Sequence, residues 1–305
     1  MDNLTHSLAG ALIGQAGLKR KTGLAMPALI IGANLPDIDA ACFAWVEGVE
    51  HLAFRRGITH GPPALLLLPL ILAGILWWWD DWQARRGKRP KTRLPVRIGW
   101  LYVLAFIGCL SHPALDWMNT YGIRLLEPFS SRWFHGDVLF IIDAWLWLGM
   151  GLATLISYRR EQARGDWRRP ARIAIAGVLA YIGVNAAITW NAESRILSRE
   201  APPQIAIASP VPLAFWQRQM ITGGEGRWQI GDKEVGLRDL TEADERAMTT
   251  EIPAAAPLLF WSRTPFVGLD PQGRCLLGDA RFADSVAGGA RFNVDLPAHW
   301  CESRP

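Results

Sequence analysis

Pro63 to Trp79 reads PALLLLPLILAGILWWW, a run without a single charge that ends in three consecutive tryptophans. An uncharged apolar stretch closed by aromatics at one end has the make-up of a membrane-crossing helix with an interfacial belt. Whole-chain composition agrees. Half of the 305 residues are hydrophobic and 16 are Trp.

Working outward, Leu4 to Leu18 is apolar and rich in small residues (Ala9, Gly10, Ala11, Gly14), which suits close helix packing. Leu24 to Ala33 follows and closes on an Asn-Leu-Pro-Asp turn signal. Each is shorter than the ~20 residues of an independent span, so a tilted or partly inserted hairpin is expected. Downstream, Ile98 to Leu110, Val138 to Tyr158 and Ile173 to Trp190 are further apolar runs, the second broken only by Asp143. About five membrane segments are expected.

Basic residues cluster at 19–21, 85–97 and 159–172. The positive-inside rule places these loops in the cytoplasm. The intervening loops then face the other side, and they carry His6, Asp37, Asp39, His60, His112, Asp116, His135 and Asp137. Charge bias has no reason to sort His and Asp in this way, so the sorting points to a shared site.

Beyond Trp190, Pro and Gly pairs separate short runs such as Trp228–Ile230, Leu258–Trp261 and 291–294, which read as strands and turns. TEADERAMTT (Thr241–Thr250) reads as one helix capped by Thr241. The fold class expected is mostly α: a polytopic helical membrane domain over 1–190, then a small β-rich extracytoplasmic domain over 191–305. That tail carries 12 Lys/Arg against 15 Asp/Glu, so the overall charge of +4 gives no support for a nucleic-acid partner. The first residues lack a basic n-region and a cleavage site, so the first helix is expected to remain in the mature chain.

Cys42, Cys109, Cys275 and Cys301 show no CxxC spacing, which argues against a cysteine zinc site. Cys275 and Cys301 pair if the tail meets an oxidising compartment; two free thiols is the alternative. His112 and Asp116 are four apart and share a helix face, with Pro113 expected at the first turn of a new helix. Imidazole and carboxylate together are ligands for a divalent cation. Asp37 and Asp39, close to each other with no lysine nearby, repel unless a cation intervenes. A structural alternative exists for each: a hydrogen-bonded His/Asp contact, or an aspartate capping the next helix. Asp143, inside an apolar run, is expected to hold a ligand His or an arginine such as Arg56 or Arg124. His51 and His135 are the least favoured members of the group, and His299 sits in the tail with no partner pattern. Phosphate loops, G-x-S-x-G elbows and HExxH motifs are lacking, which favours hydrolysis by activated water.

THSLAG at the N-terminus, NLPDID, RGITHG, LSHPALDWMNTYG and GDVLFIID occur in that order. This series resembles the YdjM/YbcI-type bacterial inner-membrane metal-dependent hydrolases, themselves regarded as distantly similar to zinc-dependent phospholipase C and P1-type nucleases. The resemblance covers about residues 1–190. It implies His6, Asp37, Asp39, His60, His112 and Asp116 as metal ligands, with Asp137 and Asp143 as further polar, catalytic members. The chain departs from the family pattern at Arg55, where many members have His, and at His135, where Tyr is expected.

The reading that follows is a multi-pass inner-membrane hydrolase that binds a divalent metal, zinc, as one or more ions. It acts on a lipid or lipid-linked phosphoester, with Arg56 and Arg124 contacting the phosphate. Two other readings stay open: a non-enzymatic membrane protein with a structural metal and a partner-binding tail, and a transporter using Asp143. The second lacks visible inverted repeats.

Overall fold

Two glycines fix how closely the first helices pack. A Cβ at Gly10 would fall 2.7 Å from the Leu29 carbonyl oxygen, and one at Gly108 would fall 2.4 Å from the same atom. Both distances are impossible for real side chains, so only glycine lets the backbones of α1 (Asn3–Gln15) and α5 (Ile98–Trp117) close on α2 (Ala25–Gly32) from two sides. The computed structural model describes residues 1–283 and 292–302, and the chain divides into two units.

The first unit comprises residues 1–39 and 56–186. Besides α1, α2 and α5 it holds α4 (Pro62–Arg85), α6 (Ala144–Gln162) and most of α7 (Arg168–Leu197). Ala28, Leu29, Ala73, Leu101, Leu104 and Ala105 form a core shared by α2, α4 and α5. Leu12, Leu146, Met150 and Ala171 form a second core where α1, α6 and α7 meet. Outward faces stay apolar: Leu66, Leu67, Leu70 and Ile71 of α4 are all more than half exposed, as a lipid-facing surface requires. Among the described residues, three helices are long and apolar enough to cross a membrane: α4, α5 and α7. α1 and α2, with 13 and 8 residues, are shorter than a span.

Two local expectations fail here. Helix α6 starts at Ala144, because Asp143 accepts hydrogen bonds from the Trp145 and Leu146 amides and begins the helix as its N-cap. Asp143 therefore does not interrupt a span at all. Pro113 starts no new helix either. α5 runs through it to Trp117, losing only the bond that a residue-113 amide would make one turn back.

The second unit comprises residues 40–55 and 187–305, so the segment before Arg56 packs with the tail instead of with the first unit. In it α3 (His51–Phe54) lies against α9 (Ala255–Trp261). Strands β1 (Ile205–Pro210), β2 (Arg218–Gly224), β3 (Arg227–Ile230) and β4 (Lys233–Val235) form an antiparallel sheet in chain order. Ile207 pairs with Ile221, and Ile221 with Ile230, giving that sheet one apolar face. A second antiparallel sheet holds β5 (Pro265–Leu269), β6 (Cys275–Asp279) and β7 (Val294–Asp295). Asn293 precedes β7, and Arg291, read as part of that strand, lies outside the described residues.

Leu258–Trp261, expected as a strand, is helical in α9. Ala255, Leu258 and Trp261 are the buried positions, and spacing by three is a helix face, not a strand's alternation. The TEADERAMTT helix is α8 (Glu242–Glu251), with a capping box between Thr241 and Asp244. Cys275 and Cys301 are joined as a disulfide, their Cα atoms 5.8 Å apart.

A buried pair in this unit predicts its acid behaviour. Burial alone would raise the Asp279 carboxyl, but the Arg281 guanidinium and the hydrogen bonds from Arg281 and Ser262 outweigh it and hold the group low. A depressed carboxylate stabilises the fold above its unfolded value of about 3.9, and that contribution fades as pH falls through the lower folded value. We expect the thermal unfolding midpoint of the second unit to drop on that acid limb, and Asp279→Asn to flatten the limb.

Candidate metal centre

The site grows from three helix ends in the first unit. α2 stops at Gly32, and the chain then enters a 3-10 helix at Leu35–Ala44, with Pro36 in its first turn and Asp37 next to it. Ending α2 leaves the Ala33 carbonyl without a helical partner, and the Nδ1 of His112 lies 2.7 Å from it. That bond fixes the tautomer, so His112 presents its Nε2 lone pair inward. One turn further along α5, Asp116 Oδ2 lies 3.4 Å from the same Nε2.

His60 ends a short 3-10 turn, Ile58–His60, just before α4. Its Nδ1 lies 2.9 Å from Thr59 Oγ1 and 3.6 Å from Asp39 Oδ2. This side of the ring is engaged, and Nε2 again points inward. The two Nε2 atoms face each other at 3.2 Å. Asp37 Oδ1 completes the group at 3.9 Å from His60 Nε2 and 3.8 Å from His112 Nε2, while Asp116 Oδ2 is 3.8 Å from His60 Nε2.

Four donor atoms from Asp37, His60, His112 and Asp116 thus lie within 4.8 Å of one another. Donors arranged tetrahedrally at metal–ligand lengths of about 2.0–2.1 Å are about 3.4 Å apart, close to what the side chains show. His60, His112 and Asp116 are fully buried, and the Asp37 side chain is only 7% exposed. The two imidazole Nε2 atoms and two carboxylates converge in a buried pocket, where Arg56 and the Met1 amino group also offset the charge of Asp116. The donor set fits a divalent ion of the zinc type.

The other residues read from the sequence fall around this group. His6 stacks on His112 with ring centroids 3.8 Å apart, and its Nε2 lies 3.3 Å from Asp116 Oδ1. Neither of its buried ring nitrogens makes a hydrogen bond, and His6 lies beside the four-donor group. Asp116 Oδ1 also meets the Met1 amino group, so Asp116 turns one oxygen to each neighbourhood. Asp39 stands one step back. Its Oδ2 accepts from the Arg56 amide at 2.7 Å and from Thr59 Oγ1 at 3.2 Å.

Arg56 is buried, with Nε 3.1 Å from Asp116 Oδ2 and Nη1 bonding Asn119 Oδ1 and the Gly122 carbonyl. These contacts make it a brace for Asp116. Arg124 is buried as well, pairs with Glu127 at 2.8 Å and lies over the Trp133 ring. Asp137 is buried in the loop before α6 at a left-handed backbone position, φ 53°, outside the four-donor group. Asp143 caps α6 and accepts from the Tyr181 hydroxyl at 2.9 Å, which accounts for a carboxylate beside apolar helices. His51 bonds the Gly48 carbonyl, His299 pairs with Glu251, and His135 packs against Gly122.

Two residues were not singled out from the sequence. Thr59 orients His60. Asn119 is fully buried, and its Oδ1 accepts from the Tyr121 and Gly122 amides as well as from Arg56. Both sit inside the quoted motifs, yet nothing in their spacing distinguishes them from ordinary turn residues.

Comparison with known proteins agrees on the membrane unit. The chain is 27% identical over 166 residues to the Bacillus subtilis (strain 168) "Uncharacterized protein YfhP", a match that spans 52% of this chain and about half, 46%, of that relative's length. No solved structure matches. Residues 1–192 match the family described as YdjM inner membrane protein, more than half of the chain, and the chain belongs to that family.

Proposed function

We propose that this protein is an integral-membrane, metal-dependent hydrolase acting on a phosphoester or lipid-type substrate at the extracytoplasmic face. One observation carries the reading: the buried convergence of Asp37, His60, His112 and Asp116. Those four side chains would hold the ion. When bound, a zinc-type cation supplies Lewis-acid polarisation of a phosphoester oxygen and lowers the pKa of water, the chemistry of zinc-dependent phospholipase C enzymes. The protein's own part is positional. Ala33 and Thr59 aim the two imidazoles, Asp39 holds Thr59 and the Arg56 backbone, and Arg56 with Asn119 keeps Asp116 in place. Asp37 keeps the only partly open side chain of the four, and the neighbouring Ile38 is 56% exposed, so substrate approaches on that side.

The topology is supported by polarity along the helices. On α1, α5 and α6 the His/Asp end and the basic end are opposite: His6 against Lys19, His112 against Arg97, Asp143 against Arg159. With the basic ends in the cytoplasm, α4, α5, α6 and α7 cross, α1 and α2 form a partly inserted hairpin, and the β-rich unit emerges outside. A disulfide in that unit suits an oxidising compartment. Alkylation of acid-quenched cells should accordingly leave Cys275 and Cys301 unmodified until they are reduced. Labelling of both without reductant would put the unit in the cytoplasm.

Turnover is the test of the enzyme reading. Purified protein in mixed micelles should cleave at least one member of a phospholipid and lipid-phosphate panel, and Asp37→Asn should lower the rate by about a hundredfold or more, the scale on which metal-site changes act. A second reading is favoured by the burial itself, because structural zinc sites are closed by four protein donors whereas catalytic ones keep a position open. Metal retained at full stoichiometry with no turnover on any substrate would select that non-enzymatic role.

A further inference from the structure

The basic end of the first unit is built around one indole. Trp167 is 6% exposed, and three cationic groups gather on its ring: Lys19 Nζ at 4.4 Å from the centroid, Arg168 Cζ at 5.2 Å and Arg20 Cζ at 5.5 Å. Arg172 stands with Arg168 beside Gly17, its Nε bonding the Ala16 carbonyl at 3.0 Å. Two acids are nearby. Glu161 pairs with Lys19, and Asp166 accepts a backbone bond from Arg169. The side chains of Arg20 and Arg168 make no ion pair and no hydrogen bond among the described residues. With Glu161 paired to Lys19, the cluster keeps a net positive charge that favours an added anion. A cleft of about 390 Å³ opens on the Lys19 and Arg20 side of the cluster, lined by these two with Leu94 and Glu161.

The surface changes character within a turn or two of these cations. Ile173 and Leu179 on α7 are 62% and 63% exposed, and Leu155 and Ile156 on α6 are 44% and 46% exposed. α7 is itself a candidate span whose apolar stretch is only 11% buried within the protein. A ligand matching both halves carries a negative phosphate for the arginines and hydrocarbon for the helix faces. We propose that Lys19, Arg20, Arg168 and Arg172, arranged around Trp167, bind the phosphate headgroup of an anionic membrane phospholipid whose acyl chains lie along α6 and α7. This assignment is independent of whether the His/Asp centre hydrolyses anything.

Full-length protein in a neutral detergent tests it. Phosphatidylglycerol should raise the thermal unfolding midpoint and remain bound in native mass spectrometry, at least tenfold more tightly than phosphatidylcholine. The double variant R20Q/R168Q should weaken phosphatidylglycerol binding at least tenfold, whereas R159Q/R160Q, with the same charge change on α6, should not. If the double variant does not fold, R168Q alone should weaken binding about threefold. Equal binding of phosphatidylcholine, or unchanged binding by the arginine variants, overturns the proposal. Protection by inorganic phosphate at the same concentration overturns the lipid assignment in favour of a free-anion site.

Discussion

Alanine at His112 is expected to leave the protein in the membrane but empty of its divalent ion. The imidazole has both nitrogens committed, Nδ1 to the Ala33 carbonyl at 2.7 Å and Nε2 to the centre, where it lies 3.2 Å from His60 Nε2. Removing it takes one donor of four and leaves Asp37 and Asp116 facing each other with less compensation. Loss of a residue that merely orients a ligand typically costs 10–100-fold in metal affinity, so loss of a donor should exceed about a hundredfold. The measurement is metal content after gel filtration, by elemental mass spectrometry. His51→Ala is the control, because His51 lies in the other unit, where it bonds the Gly48 carbonyl and its ring meets Phe43, and its metal content should match wild type. Metal retained at wild-type stoichiometry in His112→Ala would remove His112 from the site, leaving Asp116 as the donor from α5.

Asparagine at Asp39 should weaken metal binding by about 10–100-fold without abolishing it. The sequence groups Asp39 with Asp37 as equal carboxylates, but their surroundings in the structure differ. Asp37 Oδ1 faces both Nε2 atoms, while Asp39 Oδ2 receives the Arg56 amide and the Thr59 hydroxyl and lies 3.6 Å from His60 Nδ1. A carboxylate behind an imidazole raises its basicity and holds its orientation, and an amide keeps the shape while losing the charge. Competitive titration with a chromophoric chelator measures the effect. A loss as complete as that of His112→Ala would make Asp39 a direct donor.

Much of this centre was legible because the chemistry is local. His112 and Asp116 meet through the i,i+4 rule alone, and Asp37 follows a Pro that ends an apolar helix. What sequence spacing cannot express is which side of a residue faces which neighbour. Whether Asp39 ligates or supports depends on a 3-10 turn that brings Thr59 between it and His60. Asp143 reads as interrupting a span because an apolar run extends past a helix start. Hydropathy sees continuity from Val138 to Tyr158, while the backbone amides of Trp145 and Leu146 need a cap at Asp143. Leu258–Trp261 reads as a strand for the converse reason, since four apolar residues carry no period. The assignment of residues 40–55 to the second unit depends on long-range packing, such as α3 against α9, for which no local pattern exists.

The central claim is that four buried side chains hold one functional cation. Its most direct test is the metal content of the full-length protein, purified in detergent without chelator or affinity metal. At least one equivalent of a divalent, zinc-type ion per chain is predicted, falling to background in His60→Ala and in His112→Ala. Less than a tenth of an equivalent in wild type, unchanged after dialysis against zinc, would contradict the account.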